Sequence, residues 1–159
     1  GYRFIFLDTL GPQGAAEGHL DEERREWLKT ELRTLRGEKA LIFMHHPPFK
    51  LHLKNDVIRL GDEHSFASAI AGADIHHIFF GHVHRPVSGT WRGIPFSCVP
   101  GMPFQIPLVD GAVVSRMSDE PPMYAVVLLE HDRTIVHSDA FLNRRPAGMP
   151  EDAERGTWY

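Results

Sequence analysis

The residues of this chain best suited to chemistry are histidines in two short clusters, His45-His46-Pro47-Pro48 and Gly81-His82-Val83-His84. Imidazole is the commonest metal ligand and the usual proton carrier near neutral pH, and eleven of the 159 residues are histidine. Gly81 allows a sharp bend, after which the rings of His82 and His84 can stand side by side without addressing the same atom, a pairing that suits two adjacent metals. A bare His-x-His is a weak signal, and a histidine at a strand end is more often a hydrogen-bonded surface group. The combination carries the weight: each cluster follows directly on an apolar run, in a chain without a cysteine ligand set. The single cysteine, Cys98, excludes an internal disulfide framework and a cysteine-rich zinc site. No Gly-x-Ser-x-Gly is present to support a serine hydrolase.

The elements that must position these side chains can be read from periodicity. Tyr2 to Leu7, Ala40 to Met44 and Ile75 to Phe80 read as buried strands. Between the first two, Asp21 is placed to cap a helix through Arg36 that buries Trp27, Leu28, Leu32 and Leu35, with Gly37 as its stop. Between the second and third, Asp62 caps a helix with Phe66, Ala69 and Ile70 inward. Strand, helix, strand, helix, strand predicts two right-handed crossovers and parallel strands, so His45 and His82 meet at the carboxyl edge, where open α/β sheets hold ligands. The prolines 47 and 48 forbid both a continuing ladder and a helix interior. After residue 87 the signals turn antiparallel: Val87 to Trp91 and Pro95 to Val99 around Arg92-Gly93, then Tyr124 to Glu130 and Thr134 to Phe141 around residues 131–133. These predict a second, meandering sheet, with a loop over residues 100–122 and a tail from 143 to 159.

Composition bounds the function. With 42% hydrophobic and 24% charged residues the chain fits one globular core. A net charge of -4 gives no general attraction for nucleic acid or an anionic membrane. No apolar run reaches the length of a membrane span, and the expectation is a soluble protein in a reducing, cytoplasmic setting. A chain that opens at Gly1 directly on an interior-looking strand reads as a truncated domain.

Met44-His45-His46-Pro47-Pro48 and Gly81-His82-Val83-His84-Arg85-Pro86 resemble the last two signature blocks of the calcineurin-like metallophosphoesterases. The likeness is to their bacterial class III branch of cyclic-nucleotide phosphodiesterases and glycerophosphodiesterases. It extends through Leu7-Asp8, Gly18-His19-Leu20-Asp21, Trp27-Leu28, Val99-Pro100-Gly101 and Phe104-Gln105. The resemblance implies an α/β fold, the C-terminal half of a four-layer αββα sandwich, occupying residues 1–142. It implies a site for two divalent metals, Mn, Fe or Zn, about 4 Å apart, hydrolysing a phosphodiester through a metal-bound hydroxide. By match of motif, His45 and His82 would bind one metal and His84 the other. His46 would either touch the substrate phosphate or orient His45 from behind, the supporting role fitting better. The family's Asp-x-His, Gly-Asp and Gly-Asn-His blocks fall upstream of the strand on which this chain begins. The expected partners are therefore a small phosphodiester and either the N-terminal half or further copies of the chain, with no nucleic acid and no membrane. The alternatives are a non-catalytic three-histidine metal-binding domain and a half-enzyme assembly module.

The remaining candidates have plainer expectations. Arg85 stands equally between a phosphate and a salt bridge. His76 and His77 are expected on opposite sides of their strand, one packed and one partly exposed. His19, His52, His64, His131 and His137 lack partners at ligand spacing and read as structural or surface residues. Asp8 is expected to accept loop hydrogen bonds rather than act as a general acid, and Cys98 to be a small buried hydrophobe. Phe104, Gln105 and the loop from Asp110 to Pro122 are candidates for the leaving-group side of the pocket. Trp158 and Tyr159 are candidates for docking on another subunit, against the default of a frayed end.

Overall fold

The computed structural model describes residues 1–13, 15–108 and 117–142. The expected tail from 143, with Trp158 and Tyr159, lies outside them, as does the loop segment 110–116. The elements are β1 (Tyr2–Leu7), α1 (Glu22–Arg33), β2 (Lys39–Met44), a 3-10 turn (Lys54–Ile58), α2 (Glu63–Ala69), β3 (Ile75–Phe80), β4 (Val87–Trp91), β5 (Ile94–Cys98), β6 (Met123–Leu129) and β7 (Thr134–Ala140). The fold is mixed α/β with a sheet rich in parallel pairs. β1, β2 and β3 run parallel in sequence order, as the crossover argument requires.

The first hairpin departs from expectation. It does not join the second hairpin in a separate sheet; β5 pairs in parallel with β3, giving a five-stranded order β1-β2-β3-β5-β4. The reason is burial. Phe96 and Cys98 of β5 continue the apolar face of Ile78 and Phe80 into the same core, whereas a strand in a meander elsewhere would leave both to water. Arg92 and Gly93 take φ of 51° and 83°, the left-handed pair a two-residue hairpin turn needs. β6 and β7 form a two-stranded antiparallel sheet of their own. It is tied to the first sheet where the Tyr2 hydroxyl donates to the Glu130 carbonyl at 2.7 Å and His76 Nε2 bonds Thr134 Oγ1 at 2.7 Å.

Both helices start where their caps predict, since the side chains of Asp21 and Asp62 accept from the amides of Arg24 and Ser65. α1 stops at Arg33, short of the expected Arg36, with the Thr34 amide donating to the Glu31 carbonyl. Leu28 and Leu32 are buried and Leu35 packs at the margin. Trp27, expected in the same stripe, is 45% exposed; one residue before Leu28 is about 100° around the helix, beyond the buried face. The core lies between the helices and one face of the sheet: Ile5, Leu7, Ile42, Met44, Ile78 and Phe80 against Leu28, Leu32, Phe66 and Ile70. On the other face Phe43 stacks on Phe4, Phe6 and Phe79, with ring centroids 5.8, 5.0 and 5.0 Å apart.

Candidate metal centre

β2 and β3 end side by side, and the amide of Gly81 donates to the carbonyl of His45 at 3.0 Å, fixing the level at which both chains leave the sheet. Beyond Gly81 the backbone of His82 and His84 enters the left-handed region, φ 70° and 49°. That conformation costs a residue with a Cβ on the order of 1 kcal/mol. Two such residues within three positions keep both rings at the strand ends instead of letting the chain continue extended. With Met44 and Pro100 these histidines line a cleft of about 510 Å³ at the carboxyl edge.

Three rings gather there: His45, His46 and His82, with centroids 4.5 to 4.8 Å apart. Their candidate ligand atoms lie within 4.8 Å of one another. His45 Nε2 and His82 Nδ1 face each other at 2.9 Å. Nitrogens bound at ~2.1 Å to one ion stand roughly 3 Å apart when they approach it at a right angle, so this pair has the spacing of a shared ligand edge. His82 Nε2 is buried and makes no hydrogen bond of good geometry among the described residues. Burial, and then the neighbouring histidines, push the His82 pKa down to about 4. His45 and His46 are also lowered, first by burial and then by a neighbouring ring, His84 for His45 and His45 for His46. All three rings are therefore held neutral at pH 7, the form that offers a lone pair to a cation. The residues present fit a borderline divalent ion, and among the described residues the cluster contains no carboxylate.

His46 is 5% exposed, and its Nδ1 is 2.8 Å from Thr9 Oγ1, which also accepts from the His46 amide at 3.4 Å. Gly18 lies against the same ring; a Cβ there would come within 2.5 Å of it. Neither Thr9 nor Gly18 carries a sequence signal for this role, because the connection between β1 and α1, distant from His46 in the chain, brings both to it. His84, expected with His45 and His82, lines the cleft but stands outside the three-ring cluster. Its Nδ1 is 2.9 Å from the Phe104 carbonyl, and its ring lies flat on Phe104, 4.1 Å between centroids and 3° between planes. Gln105, a candidate for the leaving-group side, is instead buried and bonded to backbone.

The other expectations resolve plainly. Asp8 accepts from the Leu10 amide at 2.8 Å and pairs with Arg24 at 3.0 Å, a loop role. Arg85 donates to the Ile106 carbonyl at 3.2 Å. His77 is buried, stacked on Phe79 and bonded to Ser97 Oγ at 3.0 Å, whereas His76 is half-buried. The register between β2 and β3 skips His76, pairing Ala40 with Ile75 and Leu41 with His77, so simple alternation does not describe it. Cys98 is buried, and burial pushes its thiol up to about 12.

Known proteins share the family likeness of the sequence. A probable cyclic nucleotide phosphodiesterase of Rhodopseudomonas palustris is 37% identical over 149 residues, covering 89% of this chain and 54% of its own length. The chain is a homologue of such phosphodiesterases, matching about half of their length. Two further relatives are a cAMP/cGMP dual specificity phosphodiesterase of Mycobacterium tuberculosis and a probable glycerophosphodiester phosphodiesterase of Arcobacter nitrofigilis. The first is 31% identical over 87% of this chain and 43% of its own length; the second is 33% identical over 58% and 34%. The chain thus spans about half the length, or less, of the curated relatives it matches. No family model matches. A Vps29 from Entamoeba histolytica aligns over 87% of this chain at 14% identity with a TM-score of 0.25, a likeness too slight to rest on.

Proposed function

We propose that this chain is the histidine-bearing half of a divalent-metal phosphodiesterase, with His45 and His82 on one ion and His84 on a second. The facing nitrogens of His45 and His82, 2.9 Å apart at the strand ends, carry the reading. Manganese, iron or zinc suits imidazole ligands. A bound ion would supply Lewis-acid chemistry, drawing charge off a phosphoryl oxygen. The chain's own part is to present neutral imidazoles. Burial disfavours protonation of His45 and His82, and the Phe104 carbonyl, which only accepts, keeps the His84 proton on Nδ1 and leaves Nε2 bare. His46, packed between Thr9, Gly18 and the cluster, supports the pair from behind. The substrates are small phosphodiesters, cyclic nucleotides or glycerophosphodiesters, following the relatives' names.

The carboxylates that would balance two dications come from outside the cluster, supplied by the other half of the domain or by a second copy. The surface that half would cover is the phenylalanine face, where Phe4 and Phe6 are 50% and 71% exposed. Relatives about twice as long have the residues to cover it. Among the described residues no helix is long and apolar enough to cross a membrane, and a lone buried thiol suits a reducing cytoplasm.

The test is hydrolysis of bis(p-nitrophenyl) phosphate after chelator treatment, with and without added manganese. It is run on the chain alone and on a chimera in which the chain replaces the matching half of the Rhodopseudomonas palustris relative. Manganese-dependent turnover by the chimera, abolished by His82→Ala, is expected. A folded chimera without metal-dependent turnover would contradict the proposal. The three-ring cluster favours a second reading, in which His46 joins His45 and His82 on a single ion without turnover. One tightly held metal, weakened by His46→Ala, together with an inactive chimera would identify that case.

A further inference from the structure

We infer that residues 101–106 form a clasp that holds His84 with Nε2 as its free lone pair, and that Gln105 is the latch of that clasp and so a positioning residue for His84. The inference rests on the metal reading only for its consequence; the clasp itself is a matter of contacts among these residues.

His84 is gripped on its ring, its nitrogen and its backbone. The Phe104 ring lies parallel to the imidazole at 4.1 Å. The Phe104 carbonyl takes Nδ1 at 2.9 Å. The Ile106 amide donates to the His84 carbonyl at 2.8 Å, so the main chain is fixed as well as the ring. A carbonyl cannot donate; this contact therefore requires a proton on Nδ1 and selects the tautomer with an unprotonated Nε2 in the neutral ring. Gly101 closes the grip. A Cβ built there would stand 2.2 Å from His84 Nδ1 and 2.7 Å from the Phe104 carbonyl oxygen, so any side chain would displace the ring or the carbonyl.

Gln105 holds the loop in this shape. Its side chain is turned away from the cleft and the residue is 2% exposed. Oε1 accepts from the Gly101 amide at 3.1 Å while Nε2 donates to the Gly101 carbonyl. Nε2 also reaches the Pro121 carbonyl at 3.4 Å. Both polar groups of Gly101 are thus satisfied by one side-chain amide. The main chain of Gln105 is tied in turn to Ser118, whose amide donates to the Gln105 carbonyl at 2.9 Å. The Gly101 peptide needs one acceptor and one donor, and a single side-chain amide carries both on one planar group. Gln105 is not among the residues lining the cleft; it acts through Gly101 and Phe104 on His84. Outer partners of this kind, when removed from ligating histidines, lower metal affinity by ~10–100-fold.

The experiment reads the His84 ring nitrogens by long-range ¹H–¹⁵N NMR in the metal-free chain, and zinc affinity by competition with a chromogenic chelator. The unsubstituted chain should show His84 protonated at Nδ1. Gln105→Ala should mix the two His84 tautomers and weaken zinc by ~10-fold or more, with the unchanged ring signals of His77 reporting an intact sheet. Gln105→Glu, which keeps the acceptor and loses the donor, should fall between them. Gly101→Ala tests the clasp without touching Gln105 and should shift the same signals. A His84 found protonated at Nε2 in the unsubstituted chain would overturn the clasp. So would wild-type His84 signals in both Gln105→Ala and Gly101→Ala. Released tautomers with unchanged zinc affinity would uphold the clasp and instead overturn the role of His84 as a ligand.

Discussion

The two faces of the central sheet are built from the same strands and end differently. Under α1 and α2, Ile5, Ile42 and Ile78 are at most 3% exposed. On the other face the phenylalanines stack across three strands, yet Phe4 and Phe6 remain half or more exposed. Parallel sheets are stable when both faces are covered, and an exposed aromatic row is the mark of a surface made for contact. The difference separates what the chain stabilises by itself, the helix-covered core, from what it offers to another layer.

The largest effect should come from the closed face. Ile42→Ala removes a fully buried side chain between β1 and β3 and should lower the unfolding free energy by about 2–5 kcal/mol in urea denaturation. A cost near zero would mean that this face is not the core. The covered stretch of the phenylalanine face gives a pH test. His77, stacked on Phe79, has its pKa pushed down to about 4 by burial. Between that value and the ordinary 6.5 the unfolded chain binds the proton and the folded chain does not. Its contribution is complete above pH 6.5 and is lost as pH falls to about 4, a difference on the order of 3 kcal/mol. In His77→Gln the acid limb of the stability profile should be correspondingly shallower, and an unchanged limb would show that the imidazole is not kept neutral by burial. The smallest effect belongs to the open edge. Phe6→Lys should change the stability of the isolated chain by no more than about 0.5 kcal/mol, yet prevent the chimera from assembling its second layer. A large loss in the isolated chain would show that this face is already covered.

Much of this was legible in the sequence because it depends on local chemistry. Asp21 and Asp62 mark helix starts by capping, the apolar runs mark three strands, and parallel connection alone brings His45 and His82 to one edge. What was not legible depends on packing between distant segments. β5 could pair with a hairpin neighbour or with β3, and only the burial of Phe96 and Cys98 decides it. Trp27 falls just off a stripe whose width the partner surface sets. Thr9 and Gly18 reach His46 from the connection between β1 and α1, distant from it in sequence, and the Gln105 amide is taken up by the Gly101 peptide, which offers it a donor and an acceptor. The departure of His84 from the three-ring cluster has the same origin, since Phe104 claims its Nδ1 and one face of its ring.

The most direct measurement is a calorimetric zinc titration of the chelator-stripped chain, repeated with His45→Ala, His82→Ala and the exposed control His131→Ala. The shared ligand edge predicts a zinc site at these two nitrogens, separate from that of His84, that is weakened at least ~10-fold in the first two variants and unchanged in the third. Isotherms for His45→Ala and His82→Ala that overlay the unsubstituted chain would show that these facing nitrogens hold no metal, and would contradict the account.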